Sequence, residues 1–195
     1  EYLESRGVPA DPRLLGTLPV GVLPPLKMIT SSVGGAVSKH CYEYLKNYMT
    51  TSYVGCLMFA YNDTPTSIGG FKLRADFLRP DKSRDIIYVK NPDGSPIGIF
   101  GLRFYASLIR GKSECKDALI LEGEFDVLTN MVHQLVDKKP YDVVLGTGGN
   151  SDVHLDDLGE FGFERILLVP DSSDHGGVEV AKEWLKNTTM PTQVF

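Results

Sequence analysis

Three carboxylates, Glu122, Glu124 and Asp126, follow directly on the apolar run 118–121, and two more, Asp171 and Asp174, follow on the run 165–169. Isolated acids at a strand end read as a solvated tip, and acids in a first helical turn complement the helix dipole. Two acidic clusters at the ends of two separate strands call for more. Brought together without a cation they repel one another and raise each other's pKa. Oxygen-only donor sets are what a hard divalent cation such as Mg²⁺ takes, usually one or two carboxylates completed by water and substrate phosphate, an arrangement suited to phosphoryl transfer. Gly123 permits a sharp turn after Glu122. Gly176 and Gly177 permit a tight entry into the next helix, whose backbone N–H groups can meet an anion.

The pattern from residue 117 onward supplies elements that would bring these acids to one edge. An apolar run at 118–121 is followed by Val127, Leu128, Met131, Val132 and Leu135 at helical spacing. A second apolar run, 141–145, stops at Gly146-Thr-Gly-Gly149; a short helix is expected over 152–161, a third strand over 165–169, a helix over 177–186 and a fourth strand over 191–195. Strands that are apolar throughout and alternate with helices imply an α/β fold with a mostly parallel sheet covered on both faces. Ligands of such sheets bind at the carboxyl ends of the strands, where Glu122, Gly146 and Asp171 fall.

The first 110 residues are less regular and read as α+β. Short helices are expected at 2–6 and 12–15, the latter with Pro12 as first helical residue after the cap Asp11, and a longer one at 37–49. Strands at 53–61 and 67–77 flank the turn Asn62–Pro65, a third strand spans 85–89, and 104–110 has helical character. The division 1–110 and 111–195 is also electrostatic. The first part holds 13 Lys and Arg against 9 Asp and Glu, the second 7 against 16. A net charge of −5 argues against nonspecific coating of nucleic acid, but an acidic half can hold metal while a basic half holds phosphate. No apolar run approaches the roughly 20 residues of a membrane span and the first residues lack a signal-peptide pattern, so no membrane association and a cytoplasmic location are expected. Cys41, Cys56 and Cys115 are too few and scattered for a disulfide framework or zinc knuckle and are expected as buried thiols.

The segments ILEGEFDV (120–127), VLGTGGN (144–150) and LLVPDSSDHGG (167–177) resemble, in order and rough spacing, the Toprim domain of bacterial-type (DnaG-like) primases. FGLRFYASLI (100–109) is similar to the segment that joins the amino-terminal subdomain to Toprim in that family, LMFAYND with SIGGFKLR resembles that subdomain's paired strands, and YLESRGV near the start resembles the family's opening helix. The resemblance implies a Rossmann-like Toprim domain over 111–195 preceded by an α+β primase-type subdomain over 1–110. It implies a nucleotidyltransferase of DNA replication, synthesising RNA primers on single-stranded DNA from nucleoside triphosphates with Mg²⁺ or Mn²⁺, in the context of a larger replication or mobile-element protein with a replicative helicase, fused or separate. Residue by residue, Glu122 matches the Toprim glutamate, Asp126 a recurrent acid of the same motif, Asp174 the second acid of an Asp-x-Asp pair, and Asp171 is the counterpart of the first. Glu122, Asp171 and Asp174 would hold the metal.

Three departures from the family pattern stand out. Asp171 and Asp174 are separated by two residues instead of one. No lysine lies between Asn91 and Leu102, where the family carries one; Lys72, Arg74, Lys90 and Arg103 are the substitutes for nucleotide or nucleic-acid contact, each otherwise an ordinary surface cation. A further acidic pair is expected beyond the strand TQVF, which would leave 111–195 truncated at its C-terminal end. These departures keep two alternatives open: another Toprim chemistry such as a metal-dependent nuclease, and a noncatalytic Toprim-like module that binds nucleic acid or a replication partner. Of the histidines only His175, beside Asp174, is near the expected chemistry; His40 and His133 are expected as packing or surface residues.

Overall fold

The computed structural model describes residues 1–25, 39–49, 53–62, 68–75, 86–89, 98–105, 115–137, 142–148, 153–171 and 176–195. In chain order the helices are α1 (Tyr2–Ser5), α2 (Pro12–Leu15), α3 (Lys39–Met49), α4 (Glu124–Asp137), α5 (Asp157–Glu160) and α6 (Gly177–Lys186). The strands are β1 (Val20–Val22), β2 (Leu57–Asn62), β3 (Gly70–Arg74), β4 (Ile86–Val89), β5 (Ile99–Phe100), β6 (Asp117–Leu121), β7 (Val143–Gly146), β8 (Arg165–Val169) and β9 (Thr192–Val194). Among the described residues no helix is long and apolar enough to cross a membrane.

Among the described residues the nine strands form one mixed sheet in the order β4-β3-β2-β5-β7-β6-β8-β9, with β1 pairing β2 beside β5. The carboxyl-terminal strands β7, β6, β8 and β9 are mutually parallel, with Leu121 opposite both Gly146 and Val169. That register sets the ends of three strands at one level. The amino-terminal strands are antiparallel. The two-residue strand β5 joins the halves: it pairs with β2 through Tyr61↔Phe100 and with β7 through Phe100↔Gly146.

Two cores flank this sheet. On β2 and β3 the residues alternate between faces, so Leu57, Phe59 and Tyr61 turn toward one apolar cluster with Phe100, Phe125, Leu128, Met131 and Trp184. Phe71 and Leu73 turn to the other, where Leu45 and Met49 of α3 pack at helical i, i+4 spacing. Each large side chain buried completely, such as Trp184, Phe59 or Ile120, contributes about 1.5–3 kcal/mol relative to exposure. Helix α4 turns Phe125, Val127, Leu128, Met131 and Val132 inward. Its polar Gln134 is satisfied by accepting from the Tyr105 hydroxyl at 2.9 Å and donating to the Asp142 carbonyl at 2.8 Å.

Strand β8 and helix α6 span the residues expected from periodicity, and α2 begins at Pro12 with Asp11 as cap, accepting from the Arg13 N–H at 2.8 Å. The expected helix over 152–161 shortens to one turn, Asp157–Glu160, because Gly159 and Gly162 favour leaving the helix and Gly162 takes φ +90°. The strand expected from 53 begins at Leu57, after a turn at 53–55 that puts Gly55 at φ +89°. Strands β1 and β5 were not anticipated. Cys56 is buried and Cys115 half-buried, as thiols.

Asp156 ties the sheet's last strand to this frame. Its carboxylate accepts from the Thr188 hydroxyl at 2.6 Å, the Thr189 N–H at 2.7 Å and the Met190 N–H at 3.3 Å, and those bonds hold it below the usual carboxylate range. Asp156→Ala is expected to speed amide exchange at Thr189, Met190 and along β9 while β6 stays protected, as read by residue-resolved hydrogen exchange; uniform protection in the variant would show the clip to be redundant.

Candidate functional site

Glu122 leaves the end of β6 and Asp171 follows the end of the adjacent parallel strand β8, so the register of those strands brings the two acids together. The Asp171 N–H donates to Glu122 Oε2 at 3.3 Å. Asp126 lies one helical turn on, where the chain enters α4. A side chain added at Gly123 would put its Cβ 2.6 Å from Asp126 Oδ2, and one added at Gly177 would put it 1.9 Å from the Asp171 carbonyl oxygen. At Gly177 only glycine lets the two backbone segments approach so closely, whereas at Gly123 the space is taken by the Asp126 side chain.

The electrostatics of the cluster are those of crowded like charges. Burial pushes the Glu122 carboxyl above its ordinary value, and the neighbouring Asp171 charge raises it further against the hydrogen bond from the Asp171 N–H. Desolvation likewise raises Asp126; Asp171 adds to the rise and the Arg6 charge opposes it. These acids differ from Asp117, which Arg165 grips at 2.5 Å and holds low. Among the described residues no group of three or more His, Cys, Asp and Glu side chains closes around a common point. Glu122 and Asp171 make an open pair of oxygen donors, fitting a hard cation that keeps most of its ligands as water or phosphate. Asp174, His175 and Lys90 lie outside the described residues.

Beside this edge sits a buried polar network that sequence reasoning did not find. Lys72 was expected as a surface cation or a phosphate contact; it is 5% exposed. Its Nζ meets Glu124 Oε1 at 2.6 Å and donates to the Gly148 carbonyl at 2.9 Å. Tyr61 donates its hydroxyl to the same Glu124 oxygen, and Tyr88 donates to the Gly148 carbonyl at 3.0 Å, its ring 5.3 Å from Lys72 Nζ. Burial and the Glu124 charge together push the Tyr61 hydroxyl well above its ordinary value, so it stays a donor. The reason for the convergence is register: Phe59, Lys72 and Tyr88 are cross-strand neighbours on one face of β2, β3 and β4. Gly148, at φ +66°, has no room for a side chain against the Tyr61 hydroxyl. Thr147 N–H donates to the Leu121 carbonyl at 3.1 Å, so the network holds the loop after β7 against the residue that precedes Glu122.

The remaining expected cations separate. Arg74, two residues along β3 from Lys72 and on the same face, lies with its guanidinium carbon 5.4 Å from the Phe125 ring centroid. Arg103 is exposed in the turn at 101–105. Of the expected glycines, Gly146 is buried at the end of β7 and Gly176 caps α6 at φ +81°. The buried pairing of Glu124, and the residues Tyr61 and Arg6, were missed. The signal for the first two was an acid between Gly123 and Phe125, and a tyrosine in phase with the inward residues Leu57 and Phe59.

Removing one partner of a buried ion pair strands the other charge. Lys72→Met is therefore expected to cost about 3–5 kcal/mol, while Lys72→Met with Glu124→Leu together costs less than Lys72→Met alone, as measured by denaturant unfolding; a double variant whose loss equals the sum of the two single losses would show that the pair contributes no coupling. The acidic edge behaves oppositely. A carboxyl whose pKa is raised on folding takes up protons as the protein folds, so its penalty is present above the raised pKa and disappears as pH falls toward the unfolded value. Glu122→Gln and Asp126→Asn should each raise Tm at neutral pH, by about 2–4 °C per kcal/mol of repulsion relieved, with the gap to wild type narrowing on acidification. A drop in Tm at pH 7 for both would show that the acids are stabilising.

Comparison with known proteins bears on fold alone. No family model and no curated protein matches the sequence. Among solved structures, the chain is similar along its whole length to the Aquifex aeolicus primase zinc-binding and RNA polymerase domains, with TM-score 0.60 and 17% identity, spanning 47% of that chain. It is also similar along its whole length to the RNA polymerase domain of the Mycobacterium tuberculosis primase DnaG, with TM-score 0.56 and 13% identity, spanning 66% of that chain. The protein has a mixed α/β architecture with a large sheet, similar to that of bacterial primase domains.

Proposed function

We propose that this chain is the catalytic core of a primase, in which residues 111–195 form a Toprim domain and the protein joins ribonucleotides into primers on single-stranded DNA. The observation that carries this reading is the meeting of Glu122 and Asp171 at the carboxyl ends of adjacent parallel strands, within an architecture similar to primase RNA polymerase domains. In parallel sheets that edge is where ligands bind.

Glu122 and Asp171, with Asp174, are the proposed ligands of Mg²⁺ or Mn²⁺, which when bound supplies neutralisation of the triphosphate and activation of a 3′-hydroxyl for in-line attack. Asp126 deepens the negative field at the rim. Lys72 acts on this reading as a positioning residue, because its ammonium is taken up by Glu124 and the Gly148 carbonyl. Arg74, Lys90 and Arg103 are the proposed contacts to phosphates of template or nucleotide. Single-stranded DNA, nucleoside triphosphates and a replicative helicase, fused or separate, are the partners implied. The setting would be a larger cytoplasmic replication or mobile-element protein.

The test is primer synthesis by the full-length protein on single-stranded DNA with nucleoside triphosphates and Mg²⁺ or Mn²⁺. Glu122→Gln and Asp171→Asn should each lower the rate by at least about 100-fold, the scale of several kcal/mol of lost charge stabilisation. Synthesis unchanged in both variants would remove these acids from the chemistry. Metal-independent DNA binding without synthesis in the wild type would favour a noncatalytic binding module.

A further inference from the structure

Among the described residues a cavity of about 110 Å³ lies between the sheet and the segment that follows β7. Asn62 and Ile99, cross-strand partners at the end of β2 and in β5, line it from the sheet, and both are almost fully buried. Val153, His154, Asp157 and Phe161 line it from the other side. That cover is anchored: Leu155 and Leu158, interleaved with the lining residues, are fully buried in the core. His154 and Asp157 are exposed, which sets them at the mouth.

The register of the sheet relates this cavity to the acidic edge. Tyr61, Phe100, Gly146 and Leu121 stand in one cross-strand row, in which β2, β7 and β6 run in the same direction. One residue further on, Asn62 and Glu122 therefore leave that row toward the same edge. Three strand spacings separate them, about 14 Å. An extended nucleotide bridges such a span between its base and its terminal phosphate.

The lining decides what fits. A wholly apolar cavity of about 150 Å³ stays dry and takes a hydrocarbon ring, but this one is mixed. Ile99, Val153 and Phe161 offer apolar walls. Asn62 carries a carbonyl and an NH₂ group, which together serve more than one partner, and Asp157 carries an acceptor. The matching ligand has flat apolar faces, an edge of donors and acceptors, and the size of about one six-membered ring. A nucleobase meets all three conditions; a phosphate lacks the faces and is repelled by Asp157.

We propose that this cavity receives the six-membered ring of an unpaired nucleobase, with Asn62 and Asp157 reading its edge and Phe161 against its face, a proposal that rests on reading the acidic edge as the metal–phosphate end of the same ligand. The base belongs either to a nucleoside triphosphate or to a single-stranded nucleic acid. Base contact then comes from the protein as well as from any template.

Calorimetry on the full-length protein tests the cavity with matched probes: tripolyphosphate against each of the four nucleoside triphosphates at saturating Mn²⁺, and an abasic oligonucleotide against an oligothymidylate of the same length. Wild type should bind at least one base-bearing probe about 10-fold more tightly than its base-free counterpart, the scale of one stacked base. Val153→Phe, which fills the cavity, should erase that preference while base-free affinity stays unchanged. Asp157→Ala, at an exposed position, should lower it several-fold and decides the matter where Val153→Phe does not fold. A preference among the triphosphates identifies a nucleotide site, and one between the oligonucleotides a strand site. Equal affinity for base-bearing and base-free probes in wild type overturns the cavity, as does a preference that survives these variants or a wild type that binds no probe. Base-dependent binding of the strand with no Mn²⁺-dependent binding of tripolyphosphate keeps the cavity and removes the metal–phosphate reading.

Discussion

The buried pair of Lys72 and Glu124 is the constraint on which the site's geometry depends. At 7% and 4% side-chain exposure, both charges have lost most of their water, a loss of several kcal/mol per ion that their attraction recovers only with good geometry and further hydrogen bonds. Tyr61 supplies one such bond to Glu124, and the Gly148 carbonyl supplies one to Lys72. The partners come from β2, β3, α4 and the loop after β7. The network thus fixes three things at once: how the amino-terminal strands sit against α4, where α4 begins, and where the loop after β7 lies. Since Glu122 precedes that helix start and Asp126 follows it, the carboxylates inherit their positions from a pair that need not touch a ligand.

Two groups of described carboxylates are displaced in opposite directions. Asp11, Asp117 and Asp156 accept from fixed donors and are held below their ordinary values. Glu122 and Asp126 are raised, first by desolvation and then by the Asp171 charge. The first class stabilises the fold and the second opposes it. Raised carboxyls clustered at one edge are a mark of functional sites, where the cost is retained for what the charge does. The close backbone approach at Gly177, and the Asp126 carboxylate packed against Gly123, show how tightly the chain is drawn in around that cluster.

Much of the carboxyl-terminal half was legible because its strands and helices carry long, single-period patterns: the apolar run before Glu122, the inward series from Val127 to Leu135, and the inner side of α6. Glu122 and Asp171 could be set at one edge from strand order alone. Strands β1 and β5 could not be read, because three or two residues hold no period. The Lys72 network was hidden for a different reason. Its partners are brought together by cross-strand register, and a shift of one residue would turn Lys72 to the other face. A charged residue in the run Gly70–Arg74 signals that something must pair with it, but the sequence does not say that Glu124 will, 52 positions away.

The charge division along the sequence takes on a different meaning once the strands are paired. Thirteen basic residues in the first 110 positions and sixteen acidic ones thereafter suit two separate faces equally well as a shared seam. Strand β5 settles the matter for part of that charge by pairing with both β2 and β7, which builds both halves into one sheet. Lys72 and Arg74 then face the start of the acidic helix α4, one against Glu124 and the other against Phe125. One pair of opposite charges is consumed in fixing that seam.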